Sequence, residues 1–425
     1  MNYRLLAAGV SLGLASLVSS DVGAAAPAAD RFLDVIVTLN VDAHGNGRSE
    51  RLAMASEVAR QHGAAATHTY GTVLTGFAAR LPEAVIDRLR ADPMVANIEM
   101  DREAHAFMGK PGGGGGGAQV VPWGVARVGA TSNAHKGVGV HIYIIDTGID
   151  SDHPDLAAHV GNGFAAVACK GRKCIQSWDD DNGHGTHVSG SAAAIDNSTG
   201  VIGVAPGATL HAVKVLNSQG SGSFSGIIAG VDWVAAEVSA RGQAAVANMS
   251  LGGGGSKTGT CSGSGFSGTD TFHQAICNAK NAGVVFAVAA GNDGADAEAS
   301  VPAAYDDAVI TVSATQQGDN WPTWSNWGNG NPGGVSAPVA IAAPGVSILS
   351  TWNDGATNTI SGTSMASPHV AGAAALFLSG SNQPATGAAF SNTLSAILTQ
   401  AENSAGFSNT SGHPHDEDFL DASTL

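Results

Sequence analysis
The stretch Gly362-Thr363-Ser364-Met365-Ala366-Ser367-Pro368-His369-Val370 places a serine hydroxyl at the start of a helix that small and apolar residues carry on through Phe377. Such a helix is buried nearly all round. A serine there has unpaired backbone N–H groups beside it and the positive end of a helix dipole below it, which suits an oxyanion forming on an attacked carbonyl. Pro368 is expected in the first turn, where its missing N–H costs nothing. Taken alone, the motif reads equally as an N-cap serine.

Two upstream stretches could complete a nucleophile. Gly139–Ile145 is a β-branched run ending in Asp146-Thr147-Gly148, which sets Asp146 at the C-terminal edge of a buried strand, where open parallel sheets hold their working residues. Asn182-Gly183-His184-Gly185-Thr186-His187 leads into Ser191-Ala192-Ala193-Ala194, so His184 opens a second buried helix. His184 and His187 share a helix face, but no Glu completes a His-Glu-x-x-His zinc arrangement.

The order Asp146, His184, Ser364 and the three motifs around these residues resemble the subtilisin-like serine proteases. The resemblance implies a serine endopeptidase with an α/β, three-layer fold around a mostly parallel central sheet. His184 would take the Ser364 proton and later return it to the leaving amine, while Asp146 holds the imidazole tautomer. His187 and His369 would be structural. An esterase with a nucleophile elbow needs its acid and histidine after the serine, whereas here both precede it. A non-catalytic scaffold is disfavoured by the intact set.

The resemblance assigns further residues. Asn292, after the core strand Val284–Ala290, would donate its side-chain N–H to the oxyanion, with Ala290 and Gly291 beside it in the substrate site. Gly220-Ser221-Gly222 and Ser250-Leu251-Gly252 resemble the two segments between which a peptide is added as a strand, which implies broad specificity for protein or peptide substrates. Asp293 is expected near the mouth of the primary pocket. A structural calcium is implied, held by Gln119, Asp155, Asn197 and the carbonyls of Ile195, Thr199 and Val201.

The elements that must position these groups follow in chain order. Arg4, the apolar run Leu5–Val18 and Val22-Gly23-Ala24-Ala25 read as a signal peptide over 1–25. No apolar stretch reaches the twenty or so residues needed to span a membrane. Residues 31–107 show β-α-β-β-α-β order: strands at Phe32–Leu39, Thr67–Leu74, Gly76–Leu81 and Val95–Glu99, with helices over Glu50–His62 and Pro82–Leu89. This ferredoxin-like α+β unit of the chain holds no catalytic set, and it resembles an inhibitory propeptide that chaperones folding and then fills the cleft as product. Its cleavage is expected after Phe107, in keeping with a preference for large apolar residues there. A glycine-rich insert over 108–118, absent from the simplest family members, reads as a linker; the peptidase domain would occupy 119–425. The tail is expected to hold one helix over Ser391–Gln400, and Trp321, Trp324 and Trp327 to pack beneath a loop.

The four cysteines point to two disulfides in an exported protein, Cys169 with Cys174 and Cys261 with Cys277 being the local connectivity. A net charge of −16 argues against nucleic acid or anionic lipid as partner, and a monomer is expected.

Overall fold
The computed structural model describes residues 31–40, 47–107, 112–113, 118–172, 174–328 and 338–425. The expected signal peptide over 1–25 and residues 108–111 and 114–117 of the expected linker lie outside them.

The N-terminal unit comprises β1 (Phe32–Leu39), α1 (Arg48–Gln61), β2 (Ala66–Tyr70), β3 (Gly76–Pro82), α2 (Glu83–Arg90) and β4 (Val95–Met100), with strand order β2-β3-β1-β4. One sheet face closes a private core of Val35, Val37, Phe77, Ala79, Leu81, Ile86 and Leu89 under the two helices. Alternation puts Ile36, Tyr70 and Ala78 on the other face, which packs into the core of the larger domain. The second strand stops at Tyr70 rather than running to Leu74. The amides of Gly71, Thr72 and Val73 leave the ladder to donate to the Asp232 carboxylate at 3.2, 2.6 and 2.9 Å.

Next come β5 (Glu103–Ala106), β6 (Gly112–Gly113), α3 (Trp123–Arg127), β7 (His141–Asp146), β8 (Phe164–Ala165), α4 (His184–Ala193), β9 (Thr209–Lys214), β10 (Ser221–Ser223) and α5 (Phe224–Arg241). They are followed by β11 (Ala245–Met249), β12 (Leu251–Gly254), β13 (Thr260–Ser262), β14 (Gly265–Ser267), α6 (Thr271–Asn281), β15 (Val284–Ala289), β16 (Ser300–Val301) and β17 (Ile310–Thr315). The chain closes with β18 (Val339–Pro344), β19 (Ile348–Trp352), β20 (Ala356–Ile360), α7 (Thr363–Ser381) and α8 (Ala388–Gln400).

The central sheet runs β18-β17-β15-β11-β7-β9-β8 and is parallel at each pairing. Its strands read as continuous apolar runs because both faces are covered. Ile142, Ile144, Val246, Val285 and Ala287 face the layer of α4, α7 and α8, whereas Tyr143, Ile145, Ala247, Phe286 and Val288 face α5 and α6. The result is the three-layer α/β architecture expected. The alanines of α4 and α7 let these two helices pack closely against the sheet.

Two further features differ from expectation. Pro368 is the sixth residue of α7, in its second turn. There it removes the N–H that would have met the Ser364 carbonyl, and Ser250 Oγ donates to that carbonyl instead, at 2.8 Å. Part of the glycine linker is a strand: Gly112 and Gly113 pair with Thr359 and Asn358 of β20.

Disulfides join Cys169 to Cys174 and Cys261 to Cys277, with Cα atoms 5.9 and 5.4 Å apart. Trp321 is buried, stacking on His415 with centroids 5.2 Å apart. No helix among the described residues is long and apolar enough to cross a membrane.

Candidate active site
Asp146 ends β7, His184 begins α4 and Ser364 is the second residue of α7, so three loops at one edge of the sheet bring the three together. All three are fully buried in the intact chain. His184 Nδ1 lies 2.7 Å from Asp146 Oδ1, which also accepts the Thr147 amide at 2.7 Å. His184 Nε2 has no hydrogen-bond partner among the described residues. Ser364 Oγ donates to the carbonyl of Ser250 at 3.1 Å instead of to His184. The expected nucleophile-to-base hydrogen bond is therefore not formed in this arrangement.

Asn292 follows β15, and its amide is held from behind. Thr363 donates to Asn292 Oδ1 from its backbone N and its Oγ1, both at 2.9 Å. With the oxygen so engaged, Nδ2 faces outward and donates to the Phe107 carbonyl at 3.0 Å. A Cβ at Gly362 would lie 2.6 Å from that carbonyl oxygen, 3.2 Å from Asn292 Nδ2 and 3.6 Å from the Ser364 amide nitrogen. Glycine keeps open the point on which these three atoms converge. The Ser364 amide belongs to the first turn, whose N–H groups have no partner within the helix. Gly291 N donates to Thr363 Oγ1 at 3.0 Å, and the Ala290 carbonyl accepts from Asn326 Nδ2 at 3.0 Å. Both residues thus stand behind Asn292. Asp293 is turned by its amide onto Asn326 Oδ1 at 2.9 Å.

The tail of the N-terminal unit lies across this centre. β5 is a middle strand, with Ser221, Gly222 and Ser223 of β10 opposite His105, Ala104 and Glu103, and Leu251 and Gly252 of β12 opposite Ala106 and His105. Ala106 N donates to Gly220 O at 2.9 Å and Phe107 N to Ser250 O at 3.4 Å. The Phe107 ring covers Gly252, where a Cβ would come within 2.6 Å of it. All six expected strand-adding residues, Gly220, Ser221, Gly222, Ser250, Leu251 and Gly252, therefore meet one extended peptide.

His187 and His369 serve the frame. His187 Nε2 lies 3.0 and 3.2 Å from the carbonyls of Ile348 and Asn358, and His369 Nδ1 lies 2.8 Å from that of Met365. Burial holds their imidazoles down at about 3 and about 4, so both are neutral.

Several contributors carry no motif of their own in the sequence. Asn326 binds Ala290 O, Asp293 N and Ala295 N, tying the Asn292 loop to a distant segment. Fully buried Lys214 donates to Thr147 O, Asp181 Oδ1 and Leu216 O, bracing the end of β7. Glu99 accepts the Thr271 amide at the start of α6, and Asp101 the Ser225 amide at the start of α5. Carboxylates of the N-terminal unit thus cap two helices of the larger domain. A carboxylate before a hydrophobic run is too common a pattern for any of these to have been singled out.

Of the residues expected around a cation, Gln119, Asp155, Ile195, Asn197 and Val201 are linked by hydrogen bonds. Asp155 accepts Asn197 Nδ2 at 3.1 Å and Val201 N at 2.9 Å, while Gln119 Nε2 donates to Ile195 O at 3.0 Å and Val201 O at 3.5 Å. Thr199 N donates to Asn197 Oδ1 at 2.7 Å. Gly200 adopts φ +66°, and a Cβ there would lie 1.8 Å from Asp155 Oδ2, so the loop folds closely around the carboxylate. The carbonyls of Ile195 and Val201 and the Asp155 carboxylate, with the expected Thr199 carbonyl and neutral amides, form an all-oxygen set that fits a hard cation such as calcium once the Gln119 amide is reversed. Among the described residues there is no cluster of three or more His, Cys, Asp or Glu side chains suited to a metal. A set with one carboxylate is consistent with that.

Comparison with known proteins agrees with the geometry. The model of the subtilase family matches residues 137–413, and that of the peptidase inhibitor I9 matches residues 34–106. The chain is 42% identical over 326 residues to an extracellular serine proteinase of a Thermus species, covering 74% of this chain and 69% of that one. It is 38% identical over 308 residues to subtilisin NAT of Bacillus subtilis subsp. natto, covering 71% and 70%. Among solved structures it resembles a cold adapted subtilisin-like serine proteinase, with a TM-score of 0.57 and 34% identity over 71% of this chain and 97% of that one.

Proposed function
The chain belongs to the subtilase family of serine endopeptidases and carries an I9 inhibitor domain, and from this premise we propose a secreted zymogen that cuts itself after Phe107. Ser364 is the nucleophile, His184 the base and then the acid, Asp146 the group that orients it, and Asn292 with the Ser364 amide the oxyanion donors. The observation that carries this reading is the Phe107 carbonyl, 3.0 Å from Asn292 Nδ2 at the end of a peptide paired on both sides.

The chemistry follows from those atoms. Once Oγ turns from Ser250 O to His184 Nε2, attack on the carbonyl carbon moves the hydroxyl proton to Nε2 and negative charge to the carbonyl oxygen. Asp146, bonded to Nδ1, stabilises the imidazolium. Asn292 Nδ2 meets the growing charge in a site whose dipoles are already oriented by Thr363. The imidazolium then protonates the amine of the leaving segment, and water hydrolyses the acyl-enzyme by the reverse sequence.

Backbone pairing by Gly220–Gly222 and Ser250–Gly252 supports broad specificity, and the Phe107 ring over Gly252 supports a preference for a large apolar residue before the bond. Calcium, held by Gln119, Asp155, Ile195, Asn197, Thr199 and Val201, would supply stability by fixing the N-terminal segment to the 195–201 loop. Export rests on the 1–25 segment, and the final N-terminus falls between Met108 and Gln119. The enzyme acts on proteins or peptides as a monomer, without nucleic acid or membrane.

The test is to express the chain and its Ser364→Ala form from Ala25 and follow intact mass. Cutting near Phe107 in the first and none in the second is expected. Cutting in both would assign the step to another protease, and none in either would remove the self-processing claim.

A further inference from the structure
The peptide that enters the active centre is held beyond β5. With Phe107 as the first residue before the bond, Ala104 is the fourth, Glu103 the fifth and Arg102 the sixth. Glu103 lies opposite Ser223 of β10, and the next carbonyl, that of Arg102, accepts the Phe224 amide at 2.8 Å. Phe224 is the first residue of α5, with Ser223 as its N-cap. An amide in that position has no partner within its own helix. Backbone pairing on this side therefore ends at the sixth residue, where β10 gives way to a helix.

Alternation along an extended peptide sends every second side chain to the same face. Ala104 is buried in the apolar cluster that contains Phe224, whereas the Glu103 side chain is 83% exposed. Arg102 returns to the inner face. Its Cζ lies 4.4 Å from the centroid of the Phe224 ring, and its Nη1 donates to the Gly254 carbonyl at 3.0 Å.

Both contacts come from groups that the larger domain holds in place. Phe224 is buried and packs on Phe272 with ring centroids 4.8 Å apart. Gly254 is paired with Ser300 of β16. A Cβ at Gly255 would lie 2.6 Å from Arg102 Nη1, so glycine there leaves room for the guanidinium. The carboxylate that Arg102 meets among the described residues, that of Glu99 at 3.6 Å, belongs to the N-terminal unit itself. What the larger domain brings to this guanidinium is an aromatic face and a carbonyl.

We propose that Phe224 and Gly254 form a sixth subsite of the substrate groove, which takes an arginine of the substrate at the sixth position before the cleaved bond. The proposal rests on the peptidase reading above, with Arg102 standing where that substrate residue would lie. A guanidinium is planar and carries several donors, so it stacks on the ring and donates to the carbonyl at once. An ammonium is a compact, strongly hydrated charge and gains less. The subsite selects among peptides long enough to reach it and leaves shorter ones unread.

The processed enzyme would be assayed on internally quenched peptides that carry the sequence of residues 104–107 before the bond, alanine at the fifth position, and arginine, lysine, citrulline or alanine at the sixth. The expected kcat/KM is highest for arginine and lowest for alanine, by roughly two- to fivefold, the size of one exposed contact between a cation and a ring. Arginine moved to the fifth position, with alanine at the sixth, should lose the gain, which separates the subsite from general attraction of a basic peptide to an acidic protein. Phe224→Leu should bring the arginine and alanine peptides to equal rates; if that core change prevents folding, the peptide series on the unaltered enzyme still decides. Equal rates for arginine and alanine at the sixth position, or an equal gain from arginine at the fifth, would overturn the subsite. Citrulline matching arginine would overturn the role of charge, and a preference surviving in folded Phe224→Leu would overturn that of the ring. No hydrolysis of any peptide would overturn the peptidase reading itself.

Discussion
Ser250 Oγ donates to the Ser364 carbonyl at 2.8 Å, the acceptor that Pro368, four residues further on, leaves without its helical partner. Ser250 O in turn accepts Ser364 Oγ at 3.1 Å, and Asn248 Nδ2 donates to Ser250 Oγ at 2.9 Å. The first turns of α7 are therefore secured by the segment that also pairs with β5. Ser250→Ala leaves a buried carbonyl unpaired, which costs about 1 to 3 kcal/mol. The expected result is a lower melting temperature of the Ser364→Ala chain on adding Ser250→Ala, and a lower kcat in the active enzyme; an unchanged melt would show that the carbonyl finds another donor.

Asn292→Ala removes the donor aimed at the Phe107 carbonyl, and kcat should fall about 10²- to 10³-fold with KM little changed. Thr363→Val removes one of the two bonds that fix the amide. It should lower kcat as well, by less, because the Thr363 backbone N–H remains. Steady-state kinetics on one peptide decides this, and a rise in KM at constant kcat for either variant would reassign the residue to ground-state binding.

Asp232 is 2% exposed and receives three amides of the 71–73 loop, whereas its partner Arg48 has a side chain 45% exposed. Removing the buried acceptor strands three donors, while removing the exposed cation loses a screened contact. Asp232→Ala should weaken the hold on the N-terminal unit by about 2 to 5 kcal/mol, and Arg48→Ala by under about 1 kcal/mol. Inhibition of the processed enzyme by its released N-terminal unit measures both, and equal effects would refute the ranking.

Stability should fall as the medium is acidified. Burial depresses His187 to about 3 and His211 and His369 to about 4, so unfolding lets each take up a proton below its ordinary value of 6.5. The stabilisation is complete above pH 6.5 and is lost progressively as the pH drops to about 4, at up to about 1.4 kcal/mol per pH unit for each histidine. Asp150, raised to about 6, acts in the opposite sense between its ordinary 3.8 and 6, as one group against three. Thermal melts of the Ser364→Ala chain at pH 7 and pH 4.5 check the sign, and a higher melting temperature at pH 4.5 would refute it.

Chelation should lower the melting temperature of the processed protein if calcium ties Gln119 and Asp155 to the 195–201 loop. Asp155→Ala should melt lower and no longer respond to calcium. Identical melts with and without chelator, in both proteins, would remove the cation from the account.

The chain itself determined the groups proposed to do chemistry and the elements that carry them. Asp146, His184 and Ser364 each sit where an apolar run meets glycine and small residues, and that pattern marks strand ends and buried helix starts by local sterics alone. The β-α-β-β-α-β order over residues 31–107 was legible in the same way, from periodicity. Tertiary structure decided what depends on atoms brought together from far along the chain. The second strand stops at Tyr70 because Asp232, distant in sequence, offers a better acceptor than the ladder. Pro368 is tolerated in a second turn because Ser250 supplies the missing donor. Ser364 Oγ faces Ser250 rather than His184, and two glycines read as a linker become a strand by pairing with β20. Local patterns report which conformations a segment permits. Which hydrogen-bond partner a buried group takes is set by competition between segments, and that is resolved only when the whole chain is packed.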